Sequence, residues 1–221
     1  MWAPRTLAIT HRPRLGGRGP DDEQRRLVRF AAAMAAAGVD AVQVRAHDWQ
    51  DARLLSGARQ AVAALQGSAC RLLVNERAHV ALAAGAHGVH LRSTGVAARR
   101  LRCVVPRGWI IGRSVHASDA ATEVDEADYA LFGTVFPSGS KPSGAPVAGV
   151  DALAAWAART RVPVVAVGGV SLARCPTARA AGARGVAGIE VFADAWERGG
   201  DALAALVREV HAVFQDGERA Q

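Results

Sequence analysis

The sequence predicts an α/β chain whose strands run parallel and close into a (β/α)8 barrel. Three observations predict it. Short β-branched runs alternate with longer stretches rich in Ala, Leu and Arg along the whole chain, the pattern that βαβ units produce. The alternation yields eight strand–helix pairs within 221 residues, a compact form of this barrel. No Gly-x-Gly-x-x-Gly follows the first strand, which weighs against an open, doubly wound sheet.

In chain order, residues 6–9 form the first strand. Residues 21–37 read as a helix, with Asp21 and Asp22 at its positive end and Gly38 stopping it. Strand two falls at 39–44 and its helix at 50–65. Strand three falls at 71–74, followed by a short helix at 76–84 that Gly85 closes. Strand four is 88–91, with a helix near 96–103. Strand five is 109–111 with a helix at 118–126, and strand six is 128–132. A loop over 134–148 carries three prolines and two glycines before a helix at 150–160. Strand seven is 163–167 with a helix at 171–181; strand eight is 185–189, and the last helix is 201–214. No linker divides the chain, so 1–221 reads as one TIM-barrel domain. Residues 1–4, 216–221 and the Arg/Gly/Pro-rich 12–20 are expected to be mobile.

Half of the residues are hydrophobic, which argues against overall disorder. No apolar run approaches the roughly 18–20 residues of a membrane span, and the start lacks a signal-peptide pattern. The expected compartment is the cytoplasm, with no membrane partner. Cys70, Cys103 and Cys175 are dispersed, with neither CxxC nor zinc spacing, and read as reduced packing thiols. A net charge of +7 invites a nucleic-acid reading. The arginines are scattered and aromatics are 5% of the chain, so no nucleic-acid partner is expected; a positive field also suits a phosphorylated substrate. Lys141 is the one lysine in a chain that otherwise uses arginine. It offers a compact point charge in a Gly/Ser/Pro-rich loop.

In such barrels chemistry sits where the strands end. Gln43 and Arg45 lie at the end of strand two and just after it, Asn75 and Glu76 follow strand three, and Ser114 and His116 follow strand five. Gly168-Gly169 and Gly188-Ile189 follow strands seven and eight, where this architecture recurrently seats phosphate on backbone N–H groups; tight strand-to-helix turning is the competing reading. His116 can accept and donate a proton near neutrality, or it caps the following helix. Asn75 can bind a ligand or cap a helix, and Glu76 can be a first-turn acid. His90, inside strand four, reads as a satisfied core histidine.

Several segments, taken together, resemble the thiamine-phosphate synthase / TenI-like family. They include Val42-Gln43-Val44-Arg45, Val74-Asn75-Glu76-Arg77, Gly88-Val89-His90-Leu91, Gly112-Arg113-Ser114-Val115-His116, Leu131-Phe132-Gly133-Thr134-Val135-Phe136 and Val167-Gly168-Gly169-Val170. The resemblance implies a small phosphorylated thiazole as substrate and one of two activities. A synthase joins a pyrimidine diphosphate to a thiazole phosphate with Mg. A TenI-like thiazole tautomerase, an isomerase, aromatises a thiazole phosphate carboxylate by proton transfer and needs no cofactor. The synthase pattern Arg-Glu-Lys is Arg45-Ala46-His47 here, Asn-Asp is Asn75-Glu76, and the second acidic ligand falls on Gly95. Lys141 matches the family's lysine after strand six. The expectation is therefore the tautomerase, with His116 as proton shuttle. Gln43, Arg45, Asn75, Ser114 and Lys141 would hold substrate, and Gly168, Gly169, Gly188 and Ile189 its phosphate. The alternatives are a synthase, with Glu76 at the metal, and a non-catalytic thiazole-phosphate binder. A homo-oligomer is left open.

Overall fold

In the computed structural model, described over residues 2–138 and 147–215, eight parallel strands form a closed barrel in sequence order. They are β1 (Thr6–Ile9), β2 (Ala41–Val44), β3 (Arg71–Asn75), β4 (Gly88–Leu91), β5 (Ile110–Val115), β6 (Tyr129–Gly133), β7 (Val164–Val167) and β8 (Gly185–Gly188). β8 returns to β1 with Thr6, Leu7 and Ala8 opposite Val186, Ala187 and Gly188. The helices are α1 (Arg12–Leu15), α2 (Pro20–Ala36), α3 (Asp51–Ala64), α4 (Ala78–Ala83), α5 (Ala98–Arg102), α6 (Gly149–Ala157), α7 (Cys175–Ala180), α8 (Glu190–Glu197) and α9 (Gly200–Phe214).

The strands are apolar on both faces because both faces are covered. Outward residues such as Val42, Val74, Val89, Ile111, Phe132 and Ala166 pack against Leu27, Phe30, Leu54, Trp156 and Leu203 of the helices. Inward residues Leu7, Ile9, Ala41, Leu73, Ile110, Tyr129, Leu131, Val165 and Ala187 fill the barrel. A Cβ at Gly112 would stand 2.1 Å from Tyr129 Cζ, so this glycine is the space in which the tyrosine ring lies.

The N-terminal end of the barrel is closed. Trp2 meets the Tyr129 ring edge-on at 6.1 Å. Asp40 Oδ2 accepts from the backbone N–H groups of Arg5 and Thr6, both at 2.9 Å, and from Thr6 Oγ1 at 3.0 Å. It also lies 3.1 Å from His211 Nε2, so one carboxylate ties β1 and β2 to α9. Across the barrel, Asp128 accepts from Ile111 N at 2.7 Å and Arg102 Nη2 at 2.6 Å.

Several expectations change. Residues 2–4 are packed rather than loose, because Trp2 finds an apolar seat at the barrel floor. Residues 12–20 are ordered by α1, whose Leu15 is buried and whose Arg12 pairs with Glu23 and Asp48. The helix expected at 118–126 is one 3-10 turn, Ala121–Val124. The Asp119 carboxylate accepts from His116 N at 2.8 Å and holds a local turn instead. Finally, α8 was not anticipated, although Phe192, Ala195 and Trp196 lie at helical spacing ahead of Gly199, which has φ 110°. Of the cysteines, Cys70 and Cys175 are buried thiols whose pKa values burial raises to about 12 and about 11; Cys103 is exposed rather than packed.

Candidate active site

Period-two alternation along the strands turns Gln43, Asn75, His90 and Ser114 into the upper barrel, above the apolar filling. They form two polar chains. Gln43 Nε2 donates to Asn75 Oδ1 at 2.8 Å, and Asn75 Nδ2 donates to Glu76 Oε2 at 3.3 Å. His90 bridges Tyr129 Oη (3.0 Å from Nδ1) and Ser114 Oγ (2.8 Å from Nε2). His90 is 1% exposed, and burial pushes its pKa down to about 3, so it is a neutral, satisfied core histidine. Its ring orients Ser114 at the mouth.

Gln43 is 2% exposed, yet its Oε1 is buried with no hydrogen-bond partner. Such an atom costs about 1–3 kcal/mol unless something fills the gap. Beside it, Glu76 has φ 62°, a left-handed conformation costing about 1–3 kcal/mol in a residue with a Cβ. Its N–H donates to His90 O at 2.8 Å. Since α4 begins at Ala78 with no side-chain cap, Asn75 is not a helix cap and Glu76 is not a first-turn acid.

His116 lies just past β5, with its side chain 58% exposed. Asp119 Oδ2 stands 3.3 Å from its Nδ1. A carboxylate only accepts, so Nδ1 carries the proton and a neutral ring has its lone pair on Nε2, which has no partner among the described residues. The helix that His116 might have capped does not form. Arg113, by contrast, leaves the barrel outward: it is 2% exposed, donates to Val96 O and Ser93 O, and pairs with Glu123 at 2.8 Å. Lys141 lies outside the described residues.

Gly168 and Gly169 have φ 96° and 60°. A Cβ on Gly168 would stand 2.3 Å from Thr134 Cγ2, and one on Gly169 2.3 Å from Pro137 O. Their first duty is thus to let the loop after β6 lie on the loop after β7. Gly188 ends β8, and Ile189 is the N-cap of α8, so the free N–H groups of that helix begin at the same rim. This helix is the element at the rim that the sequence does not announce.

Around β2, β3 and β4 the rim is basic. Glu76 Oε1 is ion-paired with Arg92 Nε, and Glu76 Oε2 lies 3.8 Å from His47 Nδ1. Burial first, then the Arg45 charge, holds His47 below the ordinary histidine value; Arg92 and Arg77 act the same way, against Glu76. The family resemblance implies Mg for a synthase. The donor set does not fit that ion: Glu76 already serves Arg92 and Asn75, and position 95 is glycine. No group of three or more His, Cys, Asp or Glu suited to a metal occurs among the described residues.

With that geometry established, comparison with known proteins is informative. Residues 18–192 match the family model described as thiamine monophosphate synthase (TMP-TENI). The chain belongs to this family. It is 39% identical over 181 residues to a putative thiamine-phosphate synthase of Geobacter sulfurreducens, covering 81% of this chain and 82% of that protein. It is 35% identical over 188 residues to the thiamine-phosphate synthase of Laribacter hongkongensis, covering 85% and 87%. Among solved structures, a thiamine phosphate pyrophosphorylase from Pyrococcus furiosus superposes with TM-score 0.77 at 26% identity over 95% of this chain and 96% of that one. A 3-hexulose-6-phosphate synthase, at 18% identity and TM-score 0.63, shares the fold alone. These names favour the synthase alternative over the expected tautomerase. No helix among the described residues is long and apolar enough to cross a membrane.

Proposed function

We propose that this chain is an enzyme of thiamine biosynthesis acting on a thiazole phosphate, and that its reaction is the transfer for which its relatives are named: joining a pyrimidine diphosphate to that thiazole. The relatives' names, at 35–39% identity across most of the chain, carry this reading. The phosphate of the thiazole would lie on the backbone N–H groups of Gly168, Gly169, Gly188 and Ile189, at the open end of α8. Gln43 Oε1, the unmatched buried acceptor, would take a hydrogen bond from substrate, with Asn75 fixing the amide and Ser114 adding a hydroxyl. The leaving diphosphate must be neutralised, and Arg45 is the cation placed for it.

One observation favours a second reading, thiazole tautomerisation. His116 is held by Asp119 with Nε2 bare, as a proton shuttle requires, while Glu76 is committed to Arg92. In that reaction His116 Nε2 would take the proton from the carboxylate-bearing ring carbon and return it to a carbon attached outside the ring, leaving the ring aromatic with no net redox change.

Paired turnover with the purified chain separates the readings. One assay supplies pyrimidine diphosphate and thiazole phosphate; the other supplies the non-aromatic thiazole phosphate carboxylate. Thiamine phosphate in the first supports transfer. Aromatisation alone, lost in His116→Ala, replaces transfer with isomerisation. Turnover in neither, with tight thiazole phosphate binding, leaves a non-catalytic binder.

A further inference from the structure

The misfit between Glu76 and a metal has a counterpart next to it. A cavity of about 590 Å3 opens between the loops after β1 and β2, lined by His11, Arg12, Arg45 and His47 among others. The Arg45 guanidinium makes no hydrogen bond or ion pair among the described residues, while its backbone N–H is fixed by Thr10 Oγ1 at 2.8 Å. His11 Nδ1 is buried with no partner. The carboxylates on the far wall are already spoken for: Glu23 by Arg12 at 2.8 Å and Arg53 at 2.7 Å, Asp48 by Arg12. At the inner edge, Glu76 is neutralised by Arg92. Arg77, the third arginine near His47, is matched by Asp51 at 3.2 Å. Among the described residues, the unmatched cation of this rim is therefore Arg45, with two histidine rings beside it.

We infer that this cavity seats a diphosphate group without a divalent cation, the Arg45 guanidinium supplying the charge and His11 and His47 the further donors. A guanidinium presents a planar fork of donors to phosphate oxygens, and it replaces the ion that Glu76 is not free to hold. Arg92 is a positioning residue: by pairing with Glu76 it keeps that carboxylate from repelling the anion and from recruiting a metal. The inference takes only the identity of the substrate group from the transferase reading.

The test is calorimetric titration of the full chain with inorganic pyrophosphate, and separately with inorganic phosphate, in EDTA and in magnesium. Pyrophosphate is expected to bind in EDTA, more tightly than phosphate by about tenfold, with no tightening by magnesium. Arg45→Ala is expected to weaken it about tenfold or more, and Arg45→Lys less, with thermal melts showing that both fold. Arg92→Ala is expected to weaken binding in EDTA and to introduce a dependence on magnesium, which loss of packing alone would not. Binding only with magnesium, equal binding of phosphate, or an Arg45→Ala protein that binds like the parent would each overturn the inference; the magnesium comparison needs no variant. Thiamine phosphate formation that requires magnesium would keep the transferase and end the metal-free seat. Metal-free pyrophosphate binding without thiamine phosphate formation would keep the seat and end the transferase.

Discussion

At the N-terminal end of this barrel the polar atoms described above are matched; at the C-terminal end several are not. Below, Asp40 takes three hydrogen bonds from Arg5 and Thr6 at the start of β1 and lies against His211 of the last helix, and Asp128 staples β5 to α5. Trp2 then seals the floor against Tyr129. Above, Gln43 Oε1 and His11 Nδ1 are buried without partners, and Glu76 sits in a left-handed conformation. Both ends carry polar side chains. The difference is that the lower end matches its polar atoms within the protein, whereas the upper end leaves some of them for the substrate proposed above.

That contrast makes predictions, the largest at the top. Under the isomerase reading, His116→Ala is expected to lower aromatisation of the thiazole phosphate carboxylate by about 10²–10⁴-fold, the usual worth of a general acid–base, with an unchanged thermal melt. Equal loss of stability and rate would erase the distinction between the two ends. Gly112→Ala attacks the filling between them. Its Cβ would fall inside the Tyr129 ring, and urea unfolding should show a loss of about 3 kcal/mol from overpacking.

His90 supplies a pH test. Its pKa is about 3 in the fold against an ordinary 6.5, so between those values the unfolded chain binds the extra proton. Stability from this group is therefore present above pH 6.5 and falls as the solution is acidified toward 3. Urea unfolding at pH 7 and pH 5 should show the parent losing about 2 kcal/mol more than His90→Gln. A parallel pair of curves would mean that His90 is not held neutral. The smallest effect is expected at Gln43→Leu, which removes the unmatched Oε1 and its bond to Asn75 together. Stability should stay within about 1 kcal/mol of the parent while thiazole phosphate binding weakens. A strong destabilisation would make Gln43 part of the frame instead.

The strands were legible because they are short, largely apolar runs set between glycines and helical stretches. β1 and β4 fall on their expected residues. β5 runs past the expected end at 111 to Val115, because Gly112 makes room for the Tyr129 ring and Arg113 is an outward strand residue clamped by Glu123. The ring of site residues was legible from their place after strands. Which of them converge was not: Glu76 seemed a metal ligand or helix acid until Arg92 was found on it, sixteen residues away. Nor was it legible that His211, on the last helix, lies on Asp40, because the two meet only where the barrel closes.

By itself the sequence determined the parallel barrel, its single apolar filling and the family, since alternation and segment order are properties of neighbours along the chain. Only the tertiary structure decided which polar atoms are matched, that Arg92 occupies Glu76, and that Arg45 faces a cavity without a counter-charge. Those facts depend on distances between residues brought together from different strands, and electrostatic and hydrogen-bond energies are set by such distances and by burial.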